Sequence, residues 1–129
     1  MLDHARTYFE RGGVADQATF EHGNALKLAE ERAGPFDLLI LNHDTADYVR
    51  GFDIVRDLIA PDGVIVTDNV LTYENVQTPK SLLATLDGAP TPNDRTRIIA
   101  DFYEHVLDDP DFETYVLPID EGVAISCRV

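Results

Sequence analysis

Apolar residues fall into short blocks separated by turn-forming residues, and their spacing alternates between helical and extended along the chain. Ala5, Tyr8 and Phe9 share one helical face over 3–11, with Asp3 placed to cap that helix and Gly12-Gly13 to end it. A short strand is predicted over 18–21, then a loop at His22-Gly23-Asn24-Ala25. A helix runs next from Leu26 through Leu28 and Ala29 to Arg32, closed by Gly34-Pro35. Residues 36–41, Phe-Asp-Leu-Leu-Ile-Leu, are almost continuously apolar, as expected of a strand covered on both faces in a parallel sheet. Tyr48, Phe52, Val55, Leu58 and Ile59 recur at helical spacing over 46–59, with Pro61-Asp62-Gly63 as the stop, and Val64-Ile65-Val66-Thr67 reads as a second buried strand.

From 71 to 93 the pattern weakens. Pro79, Gly88, Pro90 and Pro92 interrupt any regular element there, so a long loop is predicted. Asn93 or Asp94 caps a helix running to about Leu107, with Ile98, Ile99, Phe102, Val106 and Leu107 facing inward, and Asp108-Asp109-Pro110 ends it. Two extended runs, 112–117 and 123–128, flank the hairpin-like turn Ile119-Asp120-Glu121-Gly122. Helices alternating with strands and finishing in an antiparallel hairpin predict an α/β sheet domain with a mixed edge. The 129 residues fit a single domain over 1–129.

Charge narrows the partners. Ten Lys plus Arg against 24 Asp plus Glu give a net charge of −14, a field that repels nucleic acid and anionic membrane surfaces. No apolar run approaches the roughly 20 residues of a membrane-spanning helix. The excess acid is spread along the chain, and Lys27 and Lys80 are the only lysines, a pattern that predicts a halophilic protein stabilised by salt. The opening residues lack a basic-then-apolar leader, so a cytoplasmic location is expected. Cys127 is the single cysteine, which excludes an internal disulfide and a cysteine-rich zinc cluster.

In open α/β sheets the ligand crevice lies beyond the carboxyl ends of the strands. Three polar clusters fall there: His22-Gly23-Asn24, Asn42-His43-Asp44-Thr45 and Asp68-Asn69. Asp68 and Asn69, with Asn42 as a third oxygen donor, suit Mg²⁺ or Ca²⁺ better than zinc. The same short polar residues also suit helix capping, and spacing alone favours that plainer role. His43 is a candidate base or ligand, or simply a ring packed at a helix start. Tyr48 and Tyr73 are candidate pocket-lining residues, Tyr48 being equally suited to the core. Cys127 is expected to be a small buried side chain, and His4, His22 and His105 have no ligand spacing.

The stretch Phe36-Asp37-Leu38-Leu39-Ile40-Leu41-Asn42-His43-Asp44-Thr45 with Tyr48, and then Pro61-Asp62-Gly63-Val64-Ile65-Val66-Thr67-Asp68-Asn69-Val70-Leu71, resembles the metal-dependent O-methyltransferases. These are class I S-adenosylmethionine enzymes related to caffeoyl-CoA and catechol O-methyltransferases. Asp94-Arg95-Thr96-Arg97, Phe102, Pro110, Phe112, Leu117-Pro118-Ile119 and Gly122 extend the likeness over nearly the whole chain. It implies a partial Rossmann-like methyltransferase sheet with a C-terminal antiparallel hairpin. It also implies S-adenosylmethionine as cofactor, a divalent cation such as Mg²⁺, and a small-molecule hydroxyl acceptor. By position, the family's strand-ending metal Asp falls on Asn42, which also belongs to the cofactor side, and its Asp-Asn pair falls on Asp68 and Asn69. The Lys that the family commonly places near the substrate hydroxyl is replaced by Thr45. The adenine loop, usually Gly-Asp-Ala, is Gly23-Asn24-Ala25.

The departures carry their own expectations. The family's first two strands, its glycine-rich turn and the acidic residue after it should precede Ala5-Arg6, a loss of about 60 residues, and no Gly-x-Gly occurs in the 129. Without those groups, cofactor binding by these residues alone should be very weak and methyl transfer absent. A non-catalytic dimerisation or binding module built on the same sheet is the alternative. The missing strands would lie between 18–21 and 36–41, so their absence leaves 36–41 an open edge. That edge is expected to pair with its own copy in a homodimer, or else to be closed by 18–21.

Overall fold

The computed structural model describes residues 2–73 and 77–129. Its framework is a four-stranded mixed sheet. Strand β1 (Phe36–Leu41) runs parallel to β2 (Ile59–Thr67), which pairs antiparallel with β4 (Val123–Arg128), and β4 closes a hairpin with β3 (Phe112–Leu117), giving the order β1-β2-β4-β3. Helices α1 (Leu2–Arg11), α2 (Ala25–Glu30), α3 (Tyr48–Arg56), α4 (Pro79–Leu86) and α5 (Asp94–Leu107) complete the chain. The α/β class and the terminal hairpin agree with the sequence reading.

The core lies on one face of the sheet. Phe52 and Val55 of α3 and Ile99, Phe102 and Val106 of α5 are buried with Leu41, Ile65, Phe112 and Ala124 of the strands. The period of two along a strand therefore decides which residues enter: Ile65 and Thr67 point to the helices, whereas Val64 and Val66 lie opposite. On that opposite face Leu38 and Ile40 of β1 stay 54% and 64% exposed. This corrects the expectation that 36–41 is covered on both faces, because helices α3 and α5 pack against a single side.

Residues 18–21 form no strand. Phe20 instead packs edge-on against Phe9 of α1 at 5.2 Å, under the Arg6 guanidinium, so the segment fastens α1 rather than closing on β1. Among the described residues β1 pairs with β2 alone. The helix expected over 46–59 is shorter, since Thr45–Asp47 form a 3₁₀ turn and Ile59 already pairs with Phe36. Between that pair and Leu38↔Val64 the register shifts, so Pro61-Asp62-Gly63 bulges within β2, with Asp62 at a φ of 65°, instead of ending a helix.

The loop expected over 71–93 contains α4; its residues 74–76 lie outside those described. Pro79 starts this helix rather than breaking it. Proline at the first helical position loses only an N–H that would have no partner, and Thr78 and Ser81 exchange capping hydrogen bonds around it. Near the same end of β2, Gly122 has a φ of 90°, and a Cβ there would lie 2.4 Å from Leu71 Cβ. The close approach lets Leu71 and Thr72 donate to the Glu121 carbonyl at 2.8 and 2.9 Å, fastening the segment after β2 to the hairpin turn.

Candidate functional site

The carboxyl ends of β1 and β2 lie side by side, and the Asp68 N–H donates to the Leu41 carbonyl at 3.1 Å. The segments leaving the two strands therefore share one rim. Asn42 and Asp68 meet there, the Asn42 amide donating to Asp68 Oδ2 over a long 3.5 Å. Asp68 Oδ1 accepts the Asn69 N–H at 2.8 Å, and the Asn69 side chain donates to the Glu121 carboxylate. Asn69 adopts a φ of 58°, a left-handed conformation that asparagine tolerates better than most residues.

The three candidate metal-site positions are thus brought together, but their chemistry does not fit a hard divalent cation. Asn42, Asp68 and Asn69 supply one carboxylate and two amides, so the trio holds a single formal negative charge. Both amide nitrogens face carboxylates, turning hydrogen-bond donors toward the oxygens a cation would need. Among the described residues no group of three or more His, Cys, Asp or Glu is placed to hold a metal.

Asp44 turns its carboxylate back to accept the Ala46 N–H at 3.1 Å, capping the 3₁₀ turn. His43 lies over α3 at Gly51, where a Cβ would come within 2.5 Å of His43 Cε1. Its Nε2 donates to the Asp47 carbonyl at 3.2 Å and its ring meets Tyr48 edge-on at 5.2 Å. Tyr48 is buried, and its hydroxyl donates to the Asp68 carbonyl at 2.9 Å. Burial pushes the pKa of this phenol up to about 12, with Arg95 opposing and Asp68 and Asp44 reinforcing the shift.

His43, Asp44, Thr45, Tyr48, Asn69, Tyr73 and Arg95 line a cavity of about 240 Å³ on this rim. Arg95, from the first turn of α5, is a residue that sequence reasoning did not single out as part of a site. Its Nη1 donates to Thr45 Oγ1, its Nη2 to the Asn69 carbonyl at 3.0 Å and its Nε to Gln77 Oε1 at 3.4 Å, and the guanidinium lies 4.4 Å from the Tyr73 ring centroid. A cation at a helix N-terminus opposes the helix dipole, and that misfit is the signal the sequence offered. Thr45, the position where the family resemblance expects a lysine, thus accepts a hydrogen bond from a cation that comes from fifty residues further along the chain.

A second cavity, about 250 Å³, lies on the other side of His43 and is lined by Ala25, Leu26, Ala29, Leu39, Ile40, Leu41, Asn42 and Val55. It unites two of the expected cofactor-side residues, Ala25 and Asn42. Gly23 and Asn24 do not line it: Asn24 caps α2 by accepting the Lys27 N–H at 3.1 Å, and Gly23 packs beside Leu28. Cys127 lies half-buried on β4, opposite Val64 and away from the rim.

Comparison with known proteins adds a family context. A family model described as O-methyltransferase matches residues 1–129. Tricin synthase 2 from Oryza sativa is 28% identical over 142 residues, covering 99% of this chain and 47% of its own length. Catechol O-methyltransferase from Niastella koreensis is 32% identical over 89 residues, covering 66% of this chain and 40% of its own. The O-methyltransferase from Bacillus cereus, solved in complex with SAH, superposes with a TM-score of 0.77 at 22% identity over 99% of this chain and 58% of its own. The chain spans about half the length of the relatives it matches.

Proposed function

The chain belongs to the O-methyltransferase family, and from that premise we propose that residues 1–129 form the acceptor-binding side of an S-adenosylmethionine-dependent methyltransferase fold, without methyl transfer of their own. The observation that carries this reading is the cavity at the carboxyl ends of β1 and β2, where open α/β sheets seat their ligands. The adjoining cavity at Ala25 and Asn42 supplies an adenine edge. The acceptor is a small hydroxylated molecule placed beside Thr45, His43 and Tyr73. Holding two reactants together accounts for about 7–11 kcal/mol of a barrier, and residues 1–129, which contain no Gly-x-Gly, do not supply it by themselves in this reading. A divalent cation at Asn42, Asp68 and Asn69 binds weakly, because one carboxylate is the trio's whole charge.

Calorimetry with S-adenosylhomocysteine, with and without Mg²⁺, tests the proposal. Binding weaker than millimolar is expected in both, and submillimolar binding overturns the claim that residues 1–129 do not hold the cofactor by themselves. A chimera in which the Bacillus cereus enzyme supplies the portion of its sheet that this chain does not cover should regain binding. Failure of a folded chimera to bind favours a non-catalytic module instead. One observation supports a role in association: the edge of β1 has no partner among the described residues, and Leu38 and Ile40 beside it are exposed. The partner proposed for that edge is a second copy of the chain.

A further inference from the structure

Arg95, like Arg6, Arg11 and Arg128, makes no ion pair among the described residues. Arg32, Arg50, Arg56 and Arg97 each pair with a carboxylate, yet in a chain with 24 Asp and Glu no carboxylate among the described residues lies within ion-pair distance of Arg95. Its side chain is nevertheless held on all sides. A carbonyl, an amide oxygen and a hydroxyl take one N–H from each of its three nitrogens, and the Tyr73 ring covers its plane. Gln77, fully buried, fixes the clamp by donating to the Val70 carbonyl at 3.4 Å while accepting from Arg95. The backbones of Tyr73 and Gln77 exchange hydrogen bonds at 3.2 and 3.3 Å, so ring and amide are placed together.

A guanidinium carries five N–H groups, and among the described residues three are taken, all by neutral acceptors. Two remain, and the side chain lines the 240 Å³ cavity. The other charged residue of that cavity, Asp44, turns one carboxylate oxygen to the Ala46 N–H and keeps its own negative charge at the cavity wall. A half-buried cation held by neutral groups keeps its full charge for a ligand, and charge-assisted hydrogen bonds are the strong ones. The cavity is smaller than the roughly 300–1,000 Å³ of drug-sized sites, and the exposed Tyr73 and the half-buried His43 give it aromatic walls.

We propose that Arg95, clamped by Thr45, Asn69 and Gln77 beneath Tyr73, is the anchor for a small aromatic acid, whose carboxylate takes the two unused N–H groups. The inference rests on the acceptor-side reading of the cavity and names the acceptor class for it. It also accounts for an acidic protein accepting an anion: the local cation outweighs the distant net charge because the field of −14 spread over the surface is screened by salt, whereas a hydrogen-bonded contact is not.

The test compares 3,4-dihydroxybenzoate with its uncharged analogue 3,4-dihydroxybenzamide by calorimetry on the full chain. The acid should bind about tenfold more tightly than the amide. Arg95→Gln should bring the ratio to about one, and Arg95→Lys should retain part of it, since lysine keeps the charge and loses the fork. Equal affinity for acid and amide in the unsubstituted chain, no binding of the acid, or a ratio that survives Arg95→Gln overturns the proposal. If Arg95→Gln does not fold, the ratio in the unsubstituted chain and in Arg95→Lys decides. The chimera's binding of S-adenosylhomocysteine is read separately, so a preference for the acid without cofactor binding sinks the methyltransferase reading and leaves the Arg95 site standing.

Discussion

The Tyr48 hydroxyl donates to the carbonyl oxygen of Asp68 across 2.9 Å, joining the first residue of α3 to the residue just after β2. Both ends of the hydrogen bond are at the rim, so it holds the cavity's shape as well as the fold. Tyr48→Phe keeps the ring packed on Phe102 and removes only this bond. A loss of about 1 kcal/mol in denaturant unfolding is expected. The phenol also makes stability pH-dependent. Its folded pKa of about 12 exceeds the ordinary value of 10.0, so the unfolded chain releases this proton first as pH rises. The stabilisation is complete below pH 10 and is lost as pH rises through 12. Unfolding followed over that window should show a steeper fall in the natural chain than in Tyr48→Phe.

Gly51 holds the place of the His43 ring. A methyl group there would meet Cε1 at 2.5 Å and Nε2 at 2.7 Å, so Gly51→Ala must displace the imidazole and break its hydrogen bond to the Asp47 carbonyl. Overpacking of this kind costs about 1–3 kcal/mol, set against a smaller gain in helix propensity. Gly51→Ala should therefore lower stability in a thermal melt, while His43→Ala/Gly51→Ala should recover part of the loss because the clashing ring is gone. Equal melting of Gly51→Ala and the natural chain would show that the ring is free to move.

Neither the Tyr48 bond nor the Gly51 contact is visible in the pattern of residues, although the elements that carry them largely are. Strands β1, β3 and β4 and helix α5 were legible because each is a block of apolar residues whose run or period matches its geometry, with a turn or cap on either side. The clusters at 42–45 and 68–69 were legible for a topological reason, since the ends of parallel strands lie side by side, whereas His22-Gly23-Asn24 was placed after a strand at 18–21 that does not form. Pro79 was misread because the same residue both breaks helices and begins them, and the Thr78–Ser81 pairing that distinguishes the two cases is a short signal inside a weak region. Residues 18–21 have strand-like composition, but Phe20 finds its packing on α1 instead of in the sheet. Arg95 was out of reach for another reason: its partners Thr45, Asn69 and Gln77 come from three separate segments, which only the folded chain assembles.

Salt should stabilise this domain. Raising KCl from about 0.1 M to about 2 M shortens the screening length from roughly 10 Å to below 3 Å, which removes most of the self-repulsion of a chain carrying −14. The pair between Arg56 and Asp109 is shielded from the same effect. Asp109 is buried, receives Arg56 Nη1 at 2.5 Å and the Asp111 N–H at 2.9 Å, and ties α3 to the segment before β3. The unfolding midpoint of the natural chain should climb with salt. Asp109→Ala should lower stability by about 2–3 kcal/mol at every salt concentration. A flat salt response would show that the dispersed acidic residues are not a halophilic adaptation.

The edge of β1 supplies the last prediction. Six residues long with Asp37 its single charge, β1 presents unpaired N–H and C=O groups along one side, and among the described residues no strand pairs with them. Strands of this kind associate edge to edge unless charges are placed on them. Pairing with a second copy across a two-fold axis satisfies the free groups of both chains and shields Leu38 and Ile40. Leu38→Glu with Ile40→Lys leaves the net charge unchanged and places ions at the junction. Light scattering should find the natural chain dimeric, the more so in high salt where two copies of −14 repel less, and the double variant monomeric. Dimers that persist in the double variant would place the interface elsewhere. A natural chain that is monomeric at all salt concentrations, with rapid amide exchange along β1, would show that the edge has no partner of its own kind.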